Sequence, residues 1–357
     1  MTPPPGGDAA GEADDREDGT ARTDSDESRG DDLAESAGDR DGQRARVPAD
    51  QRIDPSEAFA ALSDPLRVDI LRELAAVLRE SGSEPVGFAA LRKRVGVRDS
   101  GRFRYHLNEL RDRFVRKVEG GYRLTNTGHE TVAAILAGTY THDGGVGPEP
   151  LDSDCPDCGT AAVAVYRDGR CGVTCANDHP LFGWSLPPAA AADATLTEAV
   201  ALAELLARQA IERTLAGICP KCSAPVEPRI VLADADSDRS DPDLPDDAAP
   251  SPPDGADPPD DADPDPRLRA RCDTCGGRLV GPVGFCLLVD PAVEAFYRRH
   301  GRPLDDAHVW EPAFVADDDA VSVVDRDPLR VAVDVTLDGE TLAVTVDESG
   351  QVAVREG

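Results

Sequence analysis

Apolar positions between residues 54 and 140 recur at a helical period, punctuated by capping signals. Asp54-Pro55 reads as an N-cap followed by proline at the first helical position. A first helix follows, from Pro55 to about Leu62, with Phe59 and Leu62 on one face. Ser63-Asp64-Pro65 repeats the signal. The second helix, Pro65 to about Arg79, carries Leu66, Ile70, Leu71, Leu74 and Leu78 at a helical period, and Gly82 ends it. A third helix spans about Phe88 to Val95, and Gly96-Val97-Arg98-Asp99 is a turn. Asp99 or Ser100 then caps a fourth helix, Gly101 to about Arg113. In it Phe103, Leu107, Leu110 and Phe114 form one narrow stripe. At about 100° per residue the opposite face holds Tyr105, Asn108 and Asp112, flanked by Arg104 and Arg102. His106 lies nearer the stripe and is expected to be a partly buried packing residue.

The period then changes to two. Phe114–Val118 and Tyr122–Leu124 predict a hairpin around Glu119-Gly120-Gly121, and Thr125 and Thr127 cap a further helix ending near Leu136. Residues 142–150 read as a linker. Thr195 to about Ala216 is a long Ala/Leu-rich helix, and Pro291 to His300 a short one. Strand-like runs follow at Trp310–Val315, Val321–Val324, Arg330–Leu337, Leu342–Val346 and Val352–Val354. The alternation of Val331, Val333, Val335 and Leu337 predicts a sheet with one covered face. The fold class expected is α+β, in three parts: residues 1–50, 54–140 and 151–355.

Composition sharpens this division. Residues 1–50 hold 15 acids and 6 Arg, and residues 233–266 hold 13 Asp and one Arg. Both are poor in large apolar residues, so they are expected to be a disordered acidic N-terminal tail and a disordered acidic insert. They supply most, but not all, of the net charge of −31. Lysine occurs only at Lys93, Lys117 and Lys221. Many acids with few Lys and few large apolar residues resemble the proteins of salt-loving archaea. No apolar run approaches the roughly 18–20 residues needed to span a bilayer, and the N-terminus lacks a basic, apolar signal segment. The expected location is therefore the cytoplasm, with no membrane partner. There, nine cysteines argue for metal ligation rather than disulfides.

The cysteines come in pairs. Cys155-Pro-Asp-Cys158 offers two thiolates on a tight turn. Cys175 and His179 would complete a Cys₃His site, with Cys171 as the rival ligand. Cys219-Pro-Lys-Cys222 matches Cys272-Asp-Thr-Cys275. The 49 residues between these pairs shrink to 15 once the 34-residue insert is removed, a normal spacing for a Cys₄ ribbon. Both sites are expected to hold structural Zn²⁺. Full ligation leaves no coordination position for catalysis, so no enzyme is expected. An open zinc position at Cys175/His179 would be the enzymatic alternative. Cys286, ringed by apolar residues, is expected to be a buried core thiol.

Against this acidic background, Arg92 to Arg123 contains eleven Lys/Arg and four acids. A local reversal of sign that large calls for an anionic partner. The segments ALSDPLRVDILREL, FAALRKRVGVRDSGRFRYHLNEL and FVRKVEGGYRLTNTG resemble an ArsR-type winged helix-turn-helix transcriptional regulator of halophilic archaea. The resemblance covers about residues 54–140. It implies a homodimer that binds double-stranded DNA, with the fourth helix in the major groove and the hairpin, at about 114–124, as a wing on the backbone. Ser100, Arg102, Arg104, Tyr105, Asn108, Arg116, Lys117 and Arg123 are the candidate contacts. No cysteine precedes Cys155, so the heavy-metal sensing of some members is not implied here. Residues 155–355 resemble the zinc-ribbon C-terminal domain found attached to winged helices in halophilic archaea. A winged helix followed by a zinc ribbon also resembles archaeal transcription initiation factor E. The alternative partner is therefore the transcription machinery, RNA polymerase, rather than a specific operator.

Overall fold

The structure, a computed structural model, describes residues 54–355 apart from Ser83, residues 141–143 and residues 234–264. The expected tail over 1–50, the start of the expected linker and the body of the expected insert lie outside the described residues. Two compact units divide at Ala58. Of the first, the described part is Asp54–Ala58, where the Asp54 carboxylate accepts from Ser56 N at 2.8 Å. The remainder of the description concerns the second, Phe59–Gly357.

The described residues form a mixed α+β structure with four antiparallel sheets. Helices α1 (Pro55–Leu62), α2 (Pro65–Ser81), α3 (Phe88–Arg94) and α4 (Ser100–Glu109) lead into the hairpin β1 (Val115–Val118) and β2 (Gly121–Leu124), followed by α5 (Asn126–Leu136). Helices α2, α4 and α5 are capped by residues the sequence marks, although Thr127, expected to share the last cap with Thr125, lies within α5, and α3 has no side-chain cap. Asp64 accepts from Leu66 N, Asp99 from Gly101 N and Arg102 N, and Thr125 from Gly128 N. Such caps contribute about 1 kcal/mol each. Ile70, Leu71, Leu91, Phe103, Leu107, Leu110 and Phe114 are buried together with Val132.

Helix α4 is shorter than expected. The chain turns at Asp112, whose φ is +66°, and Phe114 N and Val115 N both donate to Leu110 O. Phe114 thus reaches the core from the turn rather than as the last residue of a helical stripe. The covered hydrophobic face is the same, but the backbone that delivers it differs.

β3 (Gly145–Asp154), β4 (Ala161–Arg167), β5 (Arg170–Cys175) and β6 (Pro180–Ser185) form a sheet in sequential order. β3 overturns the linker expected over 142–150. It lies at a sheet edge, the position in which a strand tolerates prolines such as Pro148 and Pro150. A short helix α6 (Pro188–Ala191) precedes α7 (Leu196–Leu215), which starts with a capping box between Thr195 and Glu198. β7 (Arg229–Ala233), β8 (Asp265–Arg271) and β9 (Arg278–Pro282) form a three-stranded sheet. Ala233 pairs with Asp265, so both edges of the expected insert are strand rather than disordered chain. A 3₁₀ segment (Val283–Val289), α8 (Pro291–Arg299) and α9 (Ala313–Ala316) follow. A last sheet comprises β10 (Val321–Arg326), β11 (Leu329–Leu337), β12 (Glu340–Asp347) and β13 (Val352–Val354). Trp310–Val315, expected as a strand, is a turn leading into α9. Val315 N closes on Pro312 O at 2.8 Å, while Trp310 and Phe314 stay buried.

One core runs from Leu151 to Val346. Its axis is α7, whose buried residues (Leu196, Ala199, Val200, Ala203, Ala207, Ala210, Ile211) follow the helical period. Small alanines let β3–β6 and the 3₁₀ segment pack closely against it. Glu204 interrupts the stripe and is 7% exposed. Its carboxylate accepts from His308 Nδ1 at 3.0 Å and Val309 N at 2.8 Å. The neighbouring Arg208 donates to the carbonyls of Leu288, Leu304 and Ala307. These bonds tie the 304–310 loop to α7. On the last sheet Val331, Val333 and Val335 are buried while Asp334 and Thr336 are exposed; Ala332 is buried as well, so the alternation holds only from Val333 onward. Cys286 is buried, and burial pushes its thiol up to about 12.

Candidate metal centres and basic face

The first cluster is built from two tight turns. After β3, Cys155 N donates to Thr160 O and Gly159 N to Cys155 O, both at 2.8 Å. Gly159 has φ +66°, which favours glycine. Between β5 and β6, Cys175 N donates to His179 O at 3.2 Å and Asp178 N to Cys175 O at 3.0 Å. The β4–β5 pairing brings the two turns together, with Ala162 opposite Cys175. Cys155 Sγ then lies 3.5 Å from His179 Nδ1, and Cys158 Sγ lies 3.6 Å from Cys175 Sγ. All four donor atoms lie within 4.8 Å of one another.

The second cluster repeats the design with wider sequence separation. Cys219 follows α7, and its N donates to Ala224 O at 2.9 Å; Ser223 N returns to Cys219 O at 3.0 Å. Cys272 follows β8; Cys272 N donates to Gly277 O and Gly276 N to Cys272 O, both at 2.8 Å. Cys219 and Cys275 have sulfurs 3.7 Å apart, and Cys222 and Cys272 3.5 Å apart. Arg213, in the last turn of α7, donates to the carbonyls of Cys219 and Pro220 and to Ser223 Oγ, bracing this turn against the helix. No sequence signal marked that role.

These spacings decide the chemistry. Disulfide sulfurs sit about 2.05 Å apart, and the nine thiols are free. Four ligands at 2.0–2.3 Å around a tetrahedral ion stand roughly 3.6–3.8 Å from one another; the four separations above, 3.5–3.7 Å, are close to this, with all donor atoms of each cluster within 4.8 Å of one another. Backbone amides support the sulfurs, Asn177 N on Cys175 Sγ and Gly277 N on Cys275 Sγ, each at 3.4 Å. Burial pushes the Cys155 thiol up to about 11. The Thr160 hydroxyl, 3.2 Å away, pulls Cys158 down to about 6. Thiolates packed this closely repel one another, and a bound cation would offset that repulsion. Both clusters can therefore hold a metal ion. Cys171 is not part of the first. It lies opposite Tyr166 and Trp184 in the sheet and is fully buried in the core. Four residues along a strand separate it from Cys175 by about 13 Å.

The basic stretch is spread over α3, α4 and the hairpin. On α4, Phe103, His106 and Leu107 are buried, while Ser100, Arg102, Arg104, Tyr105 and Asn108 are exposed. His106 is 7% exposed, as expected of a packing residue. Arg104 lies over the Phe88 ring, 5.4 Å from its centroid. Arg116 and Lys117 are exposed on β1. Arg123, paired opposite Arg116, is half-buried. Part of the positive charge is used within the fold. Arg94 pairs with Glu73 at 2.9 Å and Glu80 at 2.8 Å, and Arg92 donates to Val97 O at 3.0 Å.

Fold and site together define a mixed α+β protein with two cysteine-rich clusters that can hold metal ions. The chain belongs to the family described as Domain of unknown function (DUF7351), whose model matches residues 152–352 and so contains both clusters. A second model, described as Domain of unknown function (DUF7347), matches residues 55–135, from α1 into α5. No curated protein and no solved structure matches the chain. Among the described residues, no helix is long and apolar enough to cross a membrane.

Proposed function

We propose that this chain is a cytoplasmic, dimeric, DNA-binding transcriptional regulator similar to the ArsR type, with structural zinc in both clusters. The observation that carries the reading is the division of α4. Its inward side is Phe103 and Leu107 with the buried His106, and its outward side is Arg102, Arg104, Tyr105 and Asn108. On this reading α3, the turn ending at Asp99 and α4 are the helix-turn-helix, and β1–β2 is the wing. Arginine pairs with guanine and asparagine with adenine in the major groove, while Arg116 and Lys117 suit phosphates. Leu136 and Tyr140 are 43% and 68% exposed at and just beyond the end of α5, which supports pairing of two protomers there. The thiolate-rich donor sets and tetrahedral spacing favour zinc. Four candidate protein ligands per site favour a role in folding over one in catalysis.

The test is retention of the protein on its own upstream DNA, compared with scrambled duplex. A double change, Arg104→Ala with Tyr105→Ala, is expected to abolish the preference. Unchanged preference would mean that α4 is not the reading helix.

A further inference from the structure

The second sheet carries an unexplained concentration of arginine. On β8, Arg267, Arg269 and Arg271 occupy alternate positions and so share one face, about 6.7 Å apart along the strand. The opposite face, with Leu268 and Ala270, is buried. The register sets Arg229 directly opposite Arg269, and Arg278 directly opposite Arg271. Like charges facing each other across an antiparallel pair are destabilising. Five arginines therefore share one sheet face, in a chain of net charge −31.

This face opens into a groove. A cavity of about 560 Å³ is lined by Arg229, Arg269, Arg271 and Arg278. Val280 lines it and also a second cavity, of about 500 Å³, which is lined by Arg167, Arg170 and Arg267. Among the described residues, the acids lining the two are Glu227, Asp273 and Asp168, three against seven arginines. Much of this charge is also engaged within the protein: Glu227 pairs with Arg229 at 3.0 Å and Asp265 with Arg267 at 3.1 Å, and Arg170, Arg269 and Arg278 have partners too, so a phosphate would have to compete for them. The second cavity also presents Phe182, Trp184 and Phe285, all half-buried.

We propose that this groove binds single-stranded nucleic acid, with the arginine rows tracking phosphates and the aromatic side chains stacking on bases. A positive track with aromatic platforms is the chemistry that holds unpaired strands. Bases in a duplex are already stacked and cannot reach such platforms. Each cavity alone is the size of a small-molecule site, about 300–1,000 Å³. Arg267 lines one and Arg269 and Arg271 the other, in alternate positions on one strand face, so the arginines form a row that passes both cavities. The proposal does not depend on the role assigned to α4.

The test uses the full-length, zinc-loaded chain and a fluorescent oligo(dT) of about 15 nucleotides, a length within the usual range for such grooves. Binding is followed by anisotropy, with a duplex of equal length in parallel. The single strand is expected to bind at least roughly tenfold more tightly than the duplex. The triple variant R269Q/R271Q/R278Q is expected to weaken binding and to flatten the salt dependence by about 2 logarithmic units per decade, from about 0.7 per lost phosphate contact. R271Q alone, at an exposed position, tests the same charge with little risk to folding and is expected to flatten it by about 0.7. Trp184→Leu is expected to cost roughly tenfold. R104A/N108A is expected to keep oligo(dT) binding, so loss of duplex recognition by α4 and loss of this groove are separate results. The proposal is overturned if the single strand does not bind, if the duplex binds as tightly, or if the groove variants bind like wild type. It is equally overturned if R104A/N108A loses oligo(dT) binding, or if polyglutamate or a small aromatic carboxylate displaces the strand as well as unlabelled oligo(dT) does.

Discussion

Replacing Cys272 by serine isolates the contribution of metal to the second ribbon. The tip that carries this cluster has a very small core of its own, namely Cys219, Val226, Ala270 and Cys272 with Ala224 packed against them. Burying one valine and two alanines contributes about 3 kcal/mol. Structural zinc contributes roughly 10–16 kcal/mol in small zinc-binding peptides. The metal term is several times the apolar one, so the tip should open without it, while the separate core around α7 stays folded. Native mass spectrometry should count two zinc ions in the wild type and one in Cys272→Ser. Hydrogen exchange should read the opening at the amides of Cys219, Ser223, Cys272 and Gly276, each bonded across a turn of the tip. Their opening free energy should fall from near the global value, about 5–15 kcal/mol for ordinary domains, to near zero. Amides of α7 should keep their protection. Full protection of the four tip amides in a variant shown to hold one zinc would refute the reasoning, because the tip would then be held by packing alone.

Other outcomes follow from particular contacts. Asn108→Ala should cost about 1–3 kcal/mol in discrimination at one operator base pair, whereas Lys117→Ala should weaken all duplexes alike; binding measured on a set of point-mutated sites separates the two. Glu204→Ala leaves His308 and Val309 N without their buried acceptor, and thermal or urea unfolding should show a loss of about 3–5 kcal/mol. The hydrogen bond to Glu204 raises the His308 pKa above its ordinary value of 6.5. The stability gained from that pair should be fully present below about pH 6.5, and lost as pH rises through the raised folded value. Unfolding curves across that range, absent in His308→Gln, would check it. Gly128→Ala should loosen α5, since a Cβ there would stand 2.1 Å from Phe114 O, and circular dichroism melts should show a markedly lower midpoint.

Much of the chain was legible locally because its signals are local. Asp64, Asp99, Thr125 and Thr195 cap the helices they precede, since a cap needs only its own side chain and amides a few residues on. The two Cys-x-x-Cys pairs of the second cluster were recognisable 49 residues apart because each pair is complete within one turn. Errors fell where a segment's state depends on a distant partner. Gly145–Pro150 looks like a linker by composition, yet β4 supplies the ladder that makes it a strand. Trp310–Val315 has strand-like residues, but among the described residues it has no neighbouring strand, and it closes on Pro312 instead.

By itself, then, the sequence determined most helix starts, the Phe103–Leu107 part of the α4 stripe, most of the alternation in β11 and the thiol pairs, all of which depend on neighbours within a few residues. Only the tertiary structure decided that His179 rather than Cys171 joins Cys155, Cys158 and Cys175. Both lie four residues from Cys175, but the turn after β5 folds His179 back onto the sulfurs while the strand carries Cys171 into the core. It also gathered seven arginines, from residues 167 to 278, around two cavities that share Val280 in their walls. No periodicity records that gathering, because strands distant in sequence become neighbours only through sheet register and the packing of sheets around one helix.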